Sequence, residues 1–351
     1  ERLHMDELTF RRKNMVRQGS TTVTGQVLDS HVVSLQQVMD KVLSEIDYEN
    51  KRKLCSFGDP NLDTWYGIGI AISYRGMSLG AEGVDFNSAI INVQPDGSVL
   101  IETGIHENGQ GSESAMILIA AAELGLPMER IRYRMPSTST IPDGGTTVAS
   151  RGTLLGGGAT TNACRILQER INEVVLAQFG KAAHSYKNQC ILDDAGASIC
   201  TWDEAIRLCY AKQVYPYAFG VFQAPRVSWD EETGHGNAYF TWVYGAQAVE
   251  LTVDPKTLKV TILNLVAAHD VGRAINPPMV EGQIYGGLAT GTGYALCEEV
   301  PLVDGAVIPT NYHQYRIMRA TDLPEMTAII VENPDPASPS RAKGIDRKSV
   351  V

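Results

Sequence analysis

Residues 89–103 read AIINVQPDGSVLIET, and GIHENGQG follows at 104–111. Two runs of alternating apolar residues flank the turn PDG at 95–97, which is the pattern of a β-hairpin. Apolar spacing then predicts a helix from about 113 to 124, ended by Gly125. The stretch therefore predicts a hairpin that continues through a polar loop with glycines into a helix.

The same order of elements recurs in the second half of the chain. AQAVELTV and KVTILNLV flank a turn at 254–257, and the loop HDVGRAINP leads into a helix from Pro277. Elsewhere, apolar spacing predicts helices at 5–17, 31–52, 153–179 and 202–213, and strands at 67–73 and 327–331. We expect an α+β fold of mixed sheets and hairpins with helices, and the two hairpin units suggest a duplication.

Composition restricts the class of protein. With 351 residues, of which 44% are apolar, the chain can bury the core of two domains or of one large domain. The formal charge of −10, without Lys/Arg runs interleaved with aromatic residues, argues against nucleic acid as a partner. No apolar run of about 18 residues and no leader segment occur, so we expect no membrane span and a cytoplasmic protein.

Familiar metal and nucleotide motifs are missing from the sequence. The six cysteines are scattered without a CxxC pair, and the seven histidines lack metal-ligand spacing. GxxxxGK[ST], a GxGxxG in a βαβ unit and GxSxG do not occur. Iron–sulfur, zinc, ATP, NAD and serine hydrolase sites are therefore not indicated, and we expect a cofactor to carry any metal.

The first of three candidate loops is NGQGS at 108–112, between a strand and a helix. Free backbone N–H groups at a helix start suit an anion, and glycines let the chain approach it closely. An ordinary capped turn is the alternative interpretation.

The second candidate loop is GGTTVASRGT at 144–153, which leads into a long helix. Its small and hydroxyl residues leave the backbone accessible and Arg151 adds a cation, so it would suit a cofactor with a polyphosphate; a flexible linker is the alternative. The third loop is DVGRAINP at 270–277, where Asn276 is a candidate N-cap and Pro277 takes the first helical position.

In this order, the three loops resemble the second molybdopterin-binding region of the molybdenum hydroxylase family, which includes xanthine and nicotinate dehydrogenases. The passages similar to that family are MDELTFRRKNMVRQGSTTVTGQVL, DGSVLIETGIHENGQG, TTVASRGT and HDVGRAINPPMVEGQIYGGLATGTGYAL. The resemblance runs from about residue 5 to about 345. It implies an N-terminal helical segment with the first strands, a first cofactor-binding lobe, and a second lobe with an irregular tail. These segments are 1–85, 86–235 and 236–351.

The resemblance implies that the loops hold molybdopterin, or its cytosine dinucleotide, with molybdenum. Gln110 would bond near the dithiolene and molybdenum end, Ala149 would lie closest to the metal, and Gln283 would reach the cofactor from the third motif. The implied cofactor-binding residues are Gly109, Gln110, Gly111, Ala149, Ser150, Arg151, Gly152, Thr153 and Gln283. No protein side chain would ligate the metal, because the pterin sulfurs would hold it.

Enzymes of this family hydroxylate a C–H beside a ring nitrogen or an aldehyde carbon, with water as the oxygen source and a glutamate as base. The resemblance implies an N-heteroaromatic substrate, nicotinate-like or a purine. It places the iron–sulfur clusters and FAD on partner subunits, and the family's first cofactor region on a second molybdopterin-binding subunit. This chain resembles the medium molybdopterin subunit of nicotinate dehydrogenase, which is split in this way; a truncated single-chain enzyme would look the same.

The sequence departs from the family at the expected base, which lies in a C-terminal (A/S)-K-(G/A)-(I/V)-G-E sequence. Residues 342–345 match it, but Asp346 and Arg347 stand where glycine and glutamate are expected. Asp346 lies one residue before the position of the expected glutamate, and its side chain is one methylene shorter. We therefore expect no turnover unless Asp346 takes over the role of the glutamate, and we assign no catalytic residue. A start without Met and the end at Val351 suggest a processed or cut chain. Three hypotheses follow: a molybdenum hydroxylase subunit, a non-catalytic cofactor-completing or scaffold subunit, and a sugar- or nucleotide-binding α+β protein.

Overall fold

The computed structural model of the protein describes residues 3–345, so Asp346 and Arg347 lie outside the described residues. The helices within this range are α1 (Glu7–Asn14), α2 (Leu35–Glu45), α3 (Tyr48–Lys51), α4 (Ser112–Leu124), α5 (Gly157–Phe179), α6 (Trp202–Ala211) and α7 (Pro277–Leu296). None of these helices has the length and hydropathy that a membrane-spanning helix needs.

The strands alternate with these helices along the chain. They are β1 (Trp65–Gly76), β2 (Phe86–Val93), β3 (Val99–Thr103), β4 (Ile131–Tyr133), β5 (Ser185–Lys187), β6 (Cys190–Leu192), β7 (Ser198–Thr201), β8 (Tyr217–Gln223), β9 (Ser228–Asp230), β10 (His235–Asn237), β11 (Trp242–Val253), β12 (Val260–Asp270), β13 (Leu302–Val303), β14 (Ala306–Val307) and β15 (Glu325–Val331). The predicted α+β class, with mixed sheets and hairpins, is confirmed.

The second predicted hairpin, β11 and β12, is the centre of a sheet with strand order β1-β11-β12-β15. Strand β15 is parallel to β12, and the other neighbours are antiparallel. Because side chains alternate between the two faces, Val266 and Ala268 join the core with α2, whereas Leu265 and Ala267 join the core with α7. The register places Tyr244 of β11 opposite the last residue of β12, Asp270.

The first predicted hairpin, β2 and β3, is the centre of a second sheet with strand order β4-β3-β2-β8. The apolar residues of one face form a core with α4, α5 and α6. Strand β8 approaches α5 so closely that a Cβ on Gly220 would lie 2.3 Å from the amide nitrogen of Ala163. Glycine is therefore required there by packing. A third sheet has the order β5-β6-β7, and β9 and β10 as well as β13 and β14 form two-stranded ribbons.

The structure differs from the predicted elements at two helices and at the short strands. The helix predicted at 31–52 is divided into α2 and α3, because Asp47 adopts a left-handed conformation with φ of 56°. The helix predicted at 153–179 starts with a π-helical turn, Gly152–Gly156, before α5. The sequence does not predict β4–β7, β9, β10, β13 and β14, because strands of two to four residues are too short to show alternation. The seven-residue strand β8 is also not predicted.

The first sheet joins strands that lie far apart in the chain. Strand β1 belongs to the predicted segment 1–85, whereas β11, β12 and β15 belong to 236–351. The second sheet and its helices lie within 86–235. The division of the chain into these three segments stays a prediction.

Candidate cofactor-binding site

A cleft of about 270 Å³ opens where α4 and α7 begin, and parts of all three predicted loops line it. The two helices nearly touch there, because a Cβ on Gly111 would lie 2.4 Å from Cε of Met279. Of the predicted cofactor-binding residues, the lining includes Gln110, Gly111, Ala149, Ser150, Arg151, Gly152, Thr153 and Gln283. Gly109 is not among the lining residues.

The lining of the cleft differs in charge from the rest of the chain. Although the formal net charge is −10, the described residues that line the cleft include no Asp or Glu. The cationic residues that line it are Arg75, Arg151, Arg273 and Lys343. Amide and hydroxyl side chains, among them those of Asn276 and Thr153, accompany these cations. The lining therefore suits a ligand with many hydrogen-bonding atoms, and the charge that it offers to an anion depends on which of these cations are already paired within the protein.

The side chain of Arg151 stabilises its own loop. Its guanidinium is buried, with Nε 2.8 Å and Nη2 2.7 Å from Oδ1 of Asp85. Nη1 donates to the carbonyl oxygens of Gly144 at 2.7 Å and Thr146 at 2.9 Å, and Nη2 donates to that of Phe86 at 3.0 Å. The prediction that Arg151 adds a free cation for a polyphosphate is therefore wrong, because buried acceptors already match its planar set of donors. A cofactor contact through its backbone stays a prediction.

The second loop, which Arg151 stabilises, has strained backbone where it lines the cleft. Ala149 and Ser150 are successive left-handed residues, with φ of 50° and 55°, although neither is glycine. The Ala149 carbonyl accepts a hydrogen bond from the Ser78 amide at 3.0 Å, and the Ser150 hydroxyl donates to the Ile345 carbonyl at 2.7 Å. Within residues 3–345, neither the Ala149 amide nor the Ser150 amide donates a hydrogen bond. Both residues line the cleft, and their amides have no partner among the described residues.

The N-terminus of α4 is already capped by an anion from the chain itself. The Glu107 carboxylate accepts hydrogen bonds from the amides of Gly109 at 2.8 Å, Gly111 at 3.0 Å and Glu113 at 3.0 Å. Burial raises the pKa of Glu107, but these amide hydrogen bonds outweigh burial, so its pKa is lowered overall. The interpretation of this helix start as an open anion site is therefore wrong, and the Gly109 amide is directed to Glu107.

The two predicted glutamine contacts differ in their surroundings. The Gln110 side chain is bonded within its own loop, since Oε1 accepts from the Asn108 amide at 2.5 Å and Nε2 donates to the His106 carbonyl at 2.9 Å. The Gln283 side chain also lines the cleft, and neither it nor the Thr153 hydroxyl makes a hydrogen bond to another residue between 3 and 345. Gln283 and Thr153 therefore offer free polar groups, whereas Gln110 would have to exchange partners.

A fourth segment, residues 342–345, completes the wall of the cleft. The Lys343 amide donates to the Val271 carbonyl at 2.8 Å, which attaches the segment to the third loop. On the other side the segment touches the second loop, because a Cβ on Gly344 would lie 2.3 Å from the Ser150 carbonyl oxygen. The sequence marks this segment by its match to the family motif and by the missing base, and does not indicate that it lines the cofactor cleft. Its match to the family motif was the available signal.

Other lining residues also escaped the sequence analysis. Arg273 and Asn276 belong to the quoted DVGRAINP motif, so attention to the whole motif would have included them. Arg75 has no comparable local signal. It reaches the cleft because β1 pairs with β11, which sets Arg75 opposite Val243.

The sequence matches the molybdopterin cofactor-binding domain family over residues 41–324. Because this is most of the chain, the protein belongs to that family, as the molybdopterin-binding part of a molybdenum hydroxylase. The resemblance that the three motifs predicted is confirmed. The match also favours molybdopterin over a directly bound sugar or nucleotide.

Individual relatives are considerably longer than this chain. Aldehyde oxidase 3 of Mus musculus is 29% identical over 341 residues, which cover 95% of this chain and 24% of the relative. The carbon monoxide dehydrogenase large chain of Hydrogenophaga pseudoflava is 28% identical over 364 residues, covering 98% of this chain and 44% of the relative. Quinoline 2-oxidoreductase from Pseudomonas putida 86 shares the fold with a TM-score of 0.85 at 23% identity, covering 99% of this chain and 45% of that one. The chain thus spans less than half the length of these three proteins.

Proposed function

We propose that the protein is a cytoplasmic, molybdopterin-binding subunit of a multi-subunit molybdenum hydroxylase. The complex is an oxidoreductase that hydroxylates an N-heteroaromatic compound, nicotinate-like or a purine, with water as the oxygen source. The observation that carries the proposal is the cleft, which gathers the three motif loops and is lined by neutral donors and Arg273, while the charges of Arg151 and Lys343 are matched by the buried carboxylates of Asp85 and Asp270. Such a lining favours an anionic ligand rich in heteroatoms.

The residues present fit molybdopterin, which carries a phosphate and a ring with many hydrogen-bonding atoms. The free amides of Ala149 and Ser150, the free side chains of Thr153 and Gln283, and the charge of Arg273 would hold it. The backbone of the remaining predicted residues would complete the contacts. When bound, the molybdenum and its pterin would supply two-electron redox and oxygen-transfer chemistry.

A second cavity supports the cytosine dinucleotide form of the cofactor. It measures about 180 Å³ and adjoins the cleft, with which it shares Arg273 and Ile275, and its lining also includes Glu123, whose pKa is raised by burial. Thr161 lines this cavity, and its buried hydroxyl has no hydrogen-bond partner within residues 3–345. A buried hydroxyl of this kind requires a partner to offset its loss of hydration. The nucleotide end of the cofactor would extend into this cavity and provide one.

Electron transfer from the site needs partner subunits. The resemblance to the medium molybdopterin subunit of nicotinate dehydrogenase favours a divided molybdenum protein. We therefore place the first cofactor region on a second molybdopterin-binding subunit, the clusters on an iron–sulfur subunit and the flavin on an FAD subunit. The substrate would be a small heteroaromatic molecule, and neither nucleic acid nor a membrane is part of the assembly.

A non-catalytic role is the second candidate, because Asp346 and Arg347 replace the glycine and glutamate that the family motif contains. In that case the chain would complete the cofactor pocket or act as a scaffold. The double change Asp346→Gly and Arg347→Glu tests whether the missing glutamate limits turnover. Turnover that appears or rises would support this explanation, and turnover already present and left unchanged would contradict it.

Turnover by the assembled complex tests the proposed function. Nicotinate or a purine is supplied with an artificial electron acceptor in water enriched in oxygen-18. The proposal predicts reduction of the acceptor and a hydroxylated product that carries the isotope. A complex that contains molybdenum and pterin but forms no product would favour the non-catalytic candidate. A complex without molybdenum and pterin would contradict both.

A further inference from the structure

A buried ion pair lies beneath the cleft wall formed by residues 342–345. Nζ of Lys343 is 2.9 Å from Oδ2 of Asp270, and both side chains are almost completely shielded from solvent. The Ser34 hydroxyl donates to Oδ2 of Asp270 at 2.5 Å, and the Gly272 amide donates to Oδ1 at 3.0 Å. The charge of Lys343 is therefore matched inside the protein and does not face a ligand.

The pair gathers several elements at one point. Ser34 is the N-cap residue of α2, and Asp270 ends β12. The Lys343 ammonium also lies 5.5 Å from the centre of the Tyr244 ring of β11, within the range of a cation–π contact. The side chain of Lys343 thus anchors the wall segment to α2, β11 and β12.

The backbone of the same segment forms the surface of the cleft. Its Lys343 amide is bonded to the Val271 carbonyl at 2.8 Å, and its Ile345 carbonyl accepts from the Ser150 hydroxyl at 2.7 Å. The segment is therefore threaded between the second and third loops. Because a Cβ on Gly344 would already collide with the Ser150 carbonyl, there is little room for displacement. The position of the Lys343 side chain therefore determines where residues 342–345 lie between the two loops.

Stability alone does not explain a pair of this kind. The loss of hydration offsets much of the attraction in a buried ion pair, and well-packed apolar side chains of similar volume can be as stable. A salt bridge with further hydrogen bonds does impose one geometry, because its partners must meet at fixed atoms. The three donors that surround Asp270 provide such a fixed meeting point.

We propose that Asp270 and Lys343 are positioning residues that hold segment 342–345 as a wall of the cleft, so that cofactor retention depends on the pair. The dependence of retention rests on the proposed function. The effect on the wall itself does not, because it follows from the contacts within the chain.

The test compares Lys343→Met, Asp270→Asn and the double variant in the full chain with its co-purifying subunits. Hydrogen exchange of the hydrogen-bonded amides at positions 341 and 343, the melting temperature, and the molybdenum and pterin content are measured for each. Each single variant is expected to melt earlier, to exchange these amides at least about tenfold faster and to lose cofactor. The double variant leaves no buried charge unpaired, so its melting temperature should recover toward that of the wild type. Its exchange should remain fast and its cofactor content low.

The double variant decides between positioning and mere stabilisation. Exchange at the wild-type rate with full cofactor content in the double variant would overturn the proposal. Lys51→Met is the matched control, because it breaks the 2.5 Å ion pair with Glu250 away from the cleft and should leave exchange at positions 341 and 343 unchanged. A wild-type complex without molybdenum and pterin would contradict the proposed function, and the exchange measurements would still decide whether the pair holds the wall.

Discussion

The guanidinium of Arg151 lies 2.7 Å from the carboxylate of Asp85, 66 positions earlier in the chain, and both side chains are almost completely buried. The Ser78 hydroxyl also donates to this carboxylate. The pair thus ties the second loop to the connection between β1 and β2. It supports the successive left-handed conformations of Ala149 and Ser150, which persist only where the surroundings hold them.

Breaking this pair should destabilise the protein strongly. Arg151→Met leaves Asp85 as an unpaired buried charge, and we expect the free energy of unfolding to fall by about 3 to 5 kcal/mol. The stability of Arg151→Lys should lie between those of Arg151→Met and the wild type, because Lys keeps the charge but cannot make the forked contacts of a guanidinium. Denaturant titration measures the effect.

The control for this prediction is Lys256→Met, whose ion pair with Asp63 is exposed. Its effect should stay within about 0.5 kcal/mol. An Arg151→Met variant as stable as the wild type would show that the pair does not hold the loop.

Glu107→Gln should weaken the start of α4. The variant keeps the shape of the side chain but removes the charge that three amides bind, so we expect a loss of about 1 kcal/mol at neutral pH. Because the pKa of Glu107 is lowered, its stabilisation is present above the ordinary value of 4.5 and is lost as pH falls through the lowered pKa. The wild type and the variant should therefore converge in acid. A stability difference between the wild type and Glu107→Gln that does not change with pH would contradict this account. So would a difference no larger than that caused by the exposed control Glu173→Gln.

His31 should make the protein sensitive to mild acid. Burial lowers its pKa from 6.5 to about 4, and the charge of Lys343 contributes in the same direction. The carboxylates that oppose this shift are Asp335, Asp270 and Asp29. Nε2 of His31 is 2.8 Å from the Tyr244 hydroxyl, so the ring is fixed in the interior.

The sign of the pH effect follows from the lowered pKa of His31. As pH falls from about 6.5 to about 4, His31 takes up a proton in the unfolded chain but not in the folded protein. The free energy of unfolding should therefore fall across this window, by up to about 3 kcal/mol. His31→Gln should flatten this part of the stability profile, and the exposed control His184→Gln should not. Equal slopes in the wild type and His31→Gln would refute the assignment.

Gly344→Ala should displace the cleft wall. The added Cβ would lie 2.3 Å from both the Ser150 carbonyl oxygen and Cε of Met77, and the backbone oxygen cannot turn aside as a flexible side chain would. We expect cofactor content to fall and stability to drop by about 1 to 3 kcal/mol. The control is Gly286→Ala on α7, where a Cβ would meet nothing within 4 Å among the described residues and helix propensity would improve. Full cofactor content in Gly344→Ala would contradict the placement of the wall.

The longer hairpins and the start of α7 could be predicted from the sequence, because their signals are local. The hairpins around 95–97 and 254–257 follow from alternation and turn residues, and α7 begins at Pro277 as predicted, although Asn276, the predicted N-cap, makes no capping hydrogen bond through its side chain. The loops that line the cleft were recognised because their motifs are contiguous. Their family assignment is confirmed, whereas the cofactor contacts of the individual residues stay predictions.

Long-range partners could not be predicted from the sequence. The sequence predicts a cation for a polyphosphate at Arg151, because nothing near it in the chain indicates its pairing with Asp85. Asp270 and Lys343 are 73 positions apart and meet only after β12 and the wall segment are in place. Glu107 is a local case that was missed, because a cap contributed from before the helix lies outside the usual N-cap position.

Cofactor stoichiometry tests most directly the claim that this cleft holds molybdopterin. Molybdenum and the fluorescent oxidation product of the pterin are measured per chain in the purified complex, for the wild type, for the double variant Thr153→Val and Gln283→Leu, and for the control Thr290→Val on the exposed side of α7. The proposed site predicts equimolar molybdenum and pterin in the wild type and the control, and a loss of both in the double variant. A wild-type complex with neither, or a double variant with full content, would contradict it.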